Sequence, residues 1–266
     1  MSGRAAGADP GRSLPVRFPG RPGLQLAGLL NGAGERGVVI CSRFTGFKEE
    51  RLGYFLARAL GGKNILALRF DYGDCVGESG GRCEDMSVTG QIEDTLAAVD
   101  FLASRGCRAI GLFGHSLGGL TALAAASRET RVRALVTAAA SGGPGSDDAF
   151  TRMEPSWRAR GHRSFPVWRR GEIRVPYAFY RDFSLYDGAG LIRKLRIPVR
   201  IIHPEQDEIV STNTAMRLYR NASEPRDLQI IPDADHLFST HAGMKPLLSL
   251  TVDWFMIHLE PPPGPA

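Results

Sequence analysis

The chain has 266 residues, 43% hydrophobic and 23% charged, enough to bury a full core as one large α/β domain or two small ones. Its formal charge of +5 is carried by arginine far more than lysine, scattered among acids with one denser stretch from Arg158 to Arg181; no nucleic-acid-binding motif accompanies it, so nucleic acid is not expected as a partner. No run approaches the ~18 apolar residues of a spanning helix, the N-terminus lacks an apolar signal core, and the four cysteines show no zinc-like spacing, so a soluble cytosolic protein with no metal and no membrane span is expected.

Residues 1–22 are rich in Gly, Pro and Arg and are expected to form a disordered leader; 261–266 are expected to form a disordered tail. Between them, short apolar runs at 24–30, 37–42, 64–70, 109–113 and 132–138 predict strands. Helical periodicity at 49–60, 91–104 and 117–127 predicts the helices among them. A Gly-rich loop at 71–90 carries Cys75 and Cys83, which could pair but are expected as free thiols. Strands are predicted again at 199–203 and 228–231, and helices at 213–219 and 246–258. This alternation argues for an α/β fold with a mostly parallel, doubly wound sheet and helices on both faces. The rhythm stops at about 141–195, where Phe150, Trp157, Phe165, Trp168, Tyr177, Phe179, Tyr180, Phe183 and Tyr186 crowd together. Such an insert is expected to form a small cap over a pocket, or else to glue an irregular segment to the core.

The stretch Gly114-His115-Ser116-Leu117-Gly118 joins a predicted strand directly to a predicted helix. A serine there sits in a turn too tight for side chains beside it, with its hydroxyl exposed. A helix-capping serine in an ordinary loop would give the same short pattern. A serine hydroxyl needs a base within hydrogen-bond reach and a carboxylate to orient that base. Asp207 and His236 each follow a later apolar strand, in the order Ser…Asp…His that accompanies such an elbow. Glu205, Glu208, Asp233 and Asp235 are expected to be solvated or loop-holding neighbours, and Asp71 comes too early in the chain. His115 is expected to be a packed neighbour of the serine, and His203 and His241 to be supporting or surface groups. The oxyanion would be held by the backbone N–H of Leu117, at the positive end of its helix, and by that of Phe44 after the second strand.

At these residues the sequence resembles the α/β-hydrolase fold family over roughly 37–259. The segments Phe44-Thr45-Gly46-Phe47-Lys48-Glu49-Glu50, Arg69-Phe70-Asp71-Tyr72, Gly77-Glu78-Ser79-Gly80-Gly81, Glu84-Asp85-Met86-Ser87-Val88 and Gln91-Ile92-Glu93-Asp94 are similar to bacterial cinnamoyl/feruloyl esterases and their carboxylesterase relatives. The resemblance implies a cofactor-free serine esterase acting on a small-molecule ester. It carries the role of nucleophile to Ser116, acid to Asp207 and base to His236, with Phe44 and Leu117 as oxyanion donors, and makes the aromatic insert a substrate-recognising cap. Three places depart from the family: Ser42-Arg43 stands for His-Gly, Pro204 for a glycine, and Gly73-Asp74-Cys75-Val76-Gly77 for Gly-x-Gly. Arg43 and Tyr180 are expected to contact substrate, Arg43 favouring an anionic or polar group. An acyltransferase, thioesterase or peptidase on the same three residues, or an idle binding module, would share this sequence pattern.

Overall fold

The computed structural model describes residues 12–74, 76–167 and 171–261. The elements in chain order are β1 (Leu14–Pro19), β2 (Gln25–Asn31), β3 (Arg36–Cys41), α1 (Arg51–Gly61), β4 (Ile65–Phe70), α2 (Val88–Ser104), β5 (Ala109–His115), α3 (Leu117–Ala126), β6 (Val132–Ala138), α4 (Ala149–Arg160), β7 (His162–Val167), β8 (Gly171–Pro176), α5 (Ala178–Phe183), α6 (Gly188–Ile192), β9 (Val199–Gln206), α7 (Thr212–Asn221), β10 (Arg226–Asp235) and α8 (His241–His258).

Eight strands form one sheet in the order β1-β2-β4-β3-β5-β6-β9-β10. β1, β2 and β4 pair antiparallel, and every pair from β4 to β10 is parallel. The central strands are apolar on both faces because both faces are covered. Alternate side chains enter different cores: Val39 and Leu68 join Leu102 of α2 and Leu120 of α3, whereas Val38 and Ile40 join Leu56 of α1 and Phe255 of α8. The α/β class with helices on both faces is therefore as the alternation implied.

Three local expectations are corrected. Leu14–Pro19 is a strand rather than part of a leader, anchored by Phe18, which stacks on Phe101 at 4.6 Å and meets Phe70 edge-on. Its prolines disguised it, but β1 is an edge strand, where a missing N–H costs no ladder bond. Residues 1–11 and 262–266 lie outside the described residues. The helices α2, α7 and α8 begin earlier than their apolar periodicity, because Ser87, Ser211 and Thr240 cap them by accepting backbone N–H bonds. Cys83 is disulfide-bonded rather than a free thiol, in a loop that reverses at Gly81 (φ 127°); Cys75 lies outside the described residues. Cys41 and Cys107 are buried free thiols, as expected.

The insert is organised rather than irregular: α4, the antiparallel hairpin β7–β8, α5 and α6. Trp157, fully buried, is its centre, with Phe165 at 5.4 Å, Phe179 at 5.8 Å and an indole N–H donated to the Val175 carbonyl. Trp168 lies outside the described residues.

Candidate active site

The elbow is built by two glycines. A Cβ on Gly114 would lie 2.3 Å from the Gly118 carbonyl oxygen, and one on Gly118 would lie 2.4 Å from the Cys41 and Ser42 carbonyls. Only hydrogen at these positions lets α3 start against the ends of β5 and β3. The resulting turn forces Ser116 to φ 56°, ψ −120°, a rare conformation for a residue with a side chain. Its backbone is held there by bonds from Ser116 N–H to the Ala138 carbonyl and from Gly119 and Ser141 N–H to the Ser116 carbonyl. Ser116 makes no capping bond to α3, so its hydroxyl is left for other partners.

That partner is His236. Its Nε2 lies 3.0 Å from Ser116 Oγ, and its Nδ1 lies 2.9 Å from both carboxylate oxygens of Asp207. The three residues are 120 and 29 positions apart, and sheet register joins them. Gln206 at the end of β9 pairs with Asp235 at the end of β10, so Asp207 and His236 leave adjacent strands side by side. The match requires a bulge in β10 between Ile231 and Asp235, with Asp233 at φ 54°. β10 advances four residues there against two in β9, and the two extra residues re-aim the chain toward the sheet end.

Asp207 Oδ1 also accepts from the N–H groups of Ile209 (2.9 Å) and Val210 (2.8 Å). Burial alone would push its carboxyl up, but the His236 hydrogen bond and charge together with these two N–H donors outweigh it and hold the group below the usual carboxylate range. The carboxylate is therefore the acceptor, which puts a proton on His236 Nδ1 and leaves Nε2 free to accept from Ser116.

Two more histidines support the site. His203 donates from Nε2 to the Val210 carbonyl at 3.0 Å and lies 3.5 Å from Asp207 Oδ2. His115 donates from Nε2 to the His236 carbonyl at 2.9 Å, fixing the backbone of His236 as well as packing beside the serine. Burial, then the neighbouring His236, pushes His115 down to about 3. Folded His115 thus stays neutral at pH values where an unfolded histidine, near ~6.5, takes a proton. Its burial costs stability as the pH falls through that window, by about 1.4 kcal/mol per unit. Urea unfolding at pH 7 and pH 5 is expected to show a loss smaller by about 2 kcal/mol in His115→Gln than in wild type; equal losses would refute the assignment.

The other acidic neighbours fall where expected. Glu205 and Glu208 are exposed. Asp235 accepts from the Ser239 N–H and hydroxyl, closing the turn after His236. Asp71 holds Lys48 Nζ and the N–H groups of Lys48 and Glu78, a structural role. Among the described residues no group of three or more His, Cys, Asp or Glu could hold a metal.

Ser116 and His236 border a cavity of about 320 Å³, whose walls include Phe44, Phe150, Met153, Phe165, Val210 and Leu237. Phe150, Met153 and Phe165 belong to the insert, which is therefore both ring-packed and cavity-lining. Phe44 joins the two halves, with ring centroids 5.1 Å from Phe150 and 4.8 Å from Phe165. Among the described residues the backbone N–H groups of Phe44 and Leu117 have no hydrogen-bond partner. Tyr180 is a correction: it is absent from the cavity wall and stacks on Tyr177 at 5.8 Å within the insert, because α5 turns that face toward its own ring cluster. Arg43 borders the cavity, with its guanidinium paired to Glu50 at 2.5 Å. Sequence patterning missed Ser141 and Asp148, which border the cavity and are joined at 2.7 Å. No periodicity marks them; the loop after β6 brings them in.

A sequence model of the alpha/beta hydrolase family matches residues 29–243. The chain belongs to that family. It is 25% identical over 250 residues to the uncharacterized protein YfhR of Escherichia coli (strain K12), covering 89% of this chain and 78% of that one. It is 29% identical over 185 residues to the mitochondrial palmitoyl-protein thioesterase ABHD10 of Rattus norvegicus, covering 66% of this chain and 57% of that one. The fold is similar to that of Est1E from Butyrivibrio proteoclasticus, solved with ferulic acid bound, with a TM-score of 0.73 and 24% identity over 91% of this chain and 98% of that one.

Proposed function

We propose that this alpha/beta hydrolase is a serine hydrolase that cleaves a carboxylic ester with an apolar acyl group, through an acyl enzyme on Ser116. The observation that carries this reading is the unbroken path Ser116 Oγ–His236 Nε2, His236 Nδ1–Asp207, at the edge of an apolar cavity. Ser116 Oγ attacks the ester carbonyl while its proton passes to His236 Nε2. Asp207 stabilises the imidazolium, and the N–H groups of Phe44 and Leu117 bind the tetrahedral oxyanion. The intermediate collapses, the C–O bond to the alcohol breaks, and His236 returns the proton to that oxygen. Water then attacks the acyl-serine with His236 as base, releasing the acid and restoring Ser116.

Thioester cleavage is a second reading on the same residues. It is favoured by the apolar lining and by similarity to a protein named as a palmitoyl-protein thioesterase. The distinguishing experiment labels wild type and Ser116→Ala with a fluorophosphonate probe, then assays nitrophenyl esters of increasing chain length, methyl ferulate and an acyl thioester. Ser116-dependent labelling and ester turnover are expected. Turnover of the thioester alone would replace the ester reading, and neither activity would sink both.

A further inference from the structure

We propose that Arg43 and Glu50 form a clamp that positions the Phe44 N–H for the oxyanion, so that Arg43 is a positioning residue rather than a substrate contact; this rests on the acyl-enzyme reading above. An oxyanion donor must point at a small target with little tolerance, and its direction is set by the peptide plane that carries it. The Phe44 N–H shares a plane with the Arg43 carbonyl, which accepts the Gly46 N–H at 2.9 Å. The next plane carries the Phe44 carbonyl, which accepts Arg43 Nη1 at 3.0 Å. Both planes flanking Phe44 are therefore pinned, the second by the guanidinium.

The guanidinium is itself held. Its Nη2 lies 2.5 Å from Glu50 Oε1, and its Nη1 is 3.4 Å from the Thr45 hydroxyl. Glu50 is the residue that caps α1, yet its side chain makes no capping bond and turns to Arg43 instead. A Cβ on Gly46 would lie 2.8 Å from Glu50 Oε2, so glycine is what lets the carboxylate cross the loop. Thr45, a β-branched residue, is held at φ 57°, a conformation that persists only where its surroundings over-determine it. From the other side the Phe44 ring is wedged by Phe150 and Phe165. The loop is thus fixed by apolar contact toward the cap and by an ion pair toward α1.

The test is steady-state kinetics on nitrophenyl butyrate for wild type, Arg43→Ala, Arg43→Lys, Glu50→Gln and the Arg43→Ala/Glu50→Gln double variant, with Ser116→Ala as the zero. Alongside, each is titrated with an alkyl trifluoromethyl ketone, whose serine adduct carries the oxyanion. Arg43→Ala and Glu50→Gln are each expected to lower kcat about 10-fold with KM changed less than about twofold, a partial loss of one oxyanion donor. Ketone affinity should fall by the same factor, and the double variant should fall no further than Arg43→Ala. Arg43→Lys should recover little, since an ammonium lacks the fork that spans Glu50 and the Phe44 carbonyl. Unchanged kcat and ketone affinity would overturn the clamp, as would a loss confined to KM or a changed preference between charged and neutral esters. If Arg43→Ala fails to fold, the near-isosteric Glu50→Gln decides. Turnover that survives Ser116→Ala would remove the acyl-enzyme reading and the clamp with it. Ser116-dependent turnover with unaltered clamp variants would remove the clamp alone.

Discussion

Ser116→Ala is expected to lower kcat on a nitrophenyl ester by about 10⁵- to 10⁶-fold, the scale of losing a nucleophile that acts as one unit with its base. The fold should survive. Alanine meets the same backbone demand at φ 56° as serine, and the elbow is made by Gly114 and Gly118, which the substitution leaves alone. What is lost in the resting protein is one hydrogen bond to His236 Nε2, worth about 0.5–1.5 kcal/mol net. A melting temperature within a few degrees of wild type, by circular dichroism, together with abolished turnover and abolished fluorophosphonate labelling, is the expected result. A fall of less than about 100-fold would mean that the chemistry lies elsewhere, because a residual oxyanion hole and binding site give only the lower part of a serine hydrolase's acceleration.

The sheet and the three-residue path were legible because each rests on a local pattern. β5 is a continuous apolar run, and the glycines on either side of Ser116 announce the close approach of β5 and α3. Asp207 and His236 each trail an apolar run, and in a parallel sheet the ends of such runs fall on one edge. What was illegible depends on which element meets which. β1 exists because Phe18 finds Phe70 and Phe101, far along the chain. The bulge that aligns Asp235 with Gln206 leaves no mark in the hydrophobic period, since Pro232, Asp233 and Asp235 read equally well as a loop. Arg43 reads as a free cation in the sequence because its partner choice is tertiary: Glu50 is placed by the start of α1, and nothing in the spacing says that it will leave its capping position. Within the insert the sequence singles out Tyr180 as a substrate contact, whereas α4, β7 and α5 sort Phe150 and Phe165 toward the cavity and Tyr180 away from it.

Asp207→Asn is expected to lower kcat by about 10⁴-fold while leaving the fold near wild type, and the hydrogen bonds around the side chain give the reason. Oδ1 accepts from the Ile209 and Val210 N–H groups. Neither donor can be satisfied by an amide NH₂, so asparagine must place its oxygen there. Its nitrogen then occupies the position of Oδ2, 2.9 Å from His236 Nδ1. The amide NH₂ facing Nδ1 needs an acceptor there and competes with the retained oxygen, which is also 2.9 Å from Nδ1; the expected outcome is a proton shifted to Nε2. That nitrogen sits 3.0 Å from Ser116 Oγ and would now donate to the hydroxyl instead of accepting its proton. The base is blocked by its tautomer, and the carboxylate that would stabilise the imidazolium is gone as well. Retained bonds to Ile209 and Val210 should keep the acid loop closed, so thermal unfolding should move little. Nitrogen-15 chemical shifts of the His236 ring would report the proton at Nδ1 in wild type and at Nε2 in Asp207→Asn. A variant that kept the proton at Nδ1 and still lost activity would show that Asp207 acts through its charge alone, and equal activity would remove it from the proposed mechanism. The two substitutions thus separate the roles of the proposed mechanism: there Ser116 supplies the bond-forming atom, whereas Asp207 decides on which side of one ring a single proton rests.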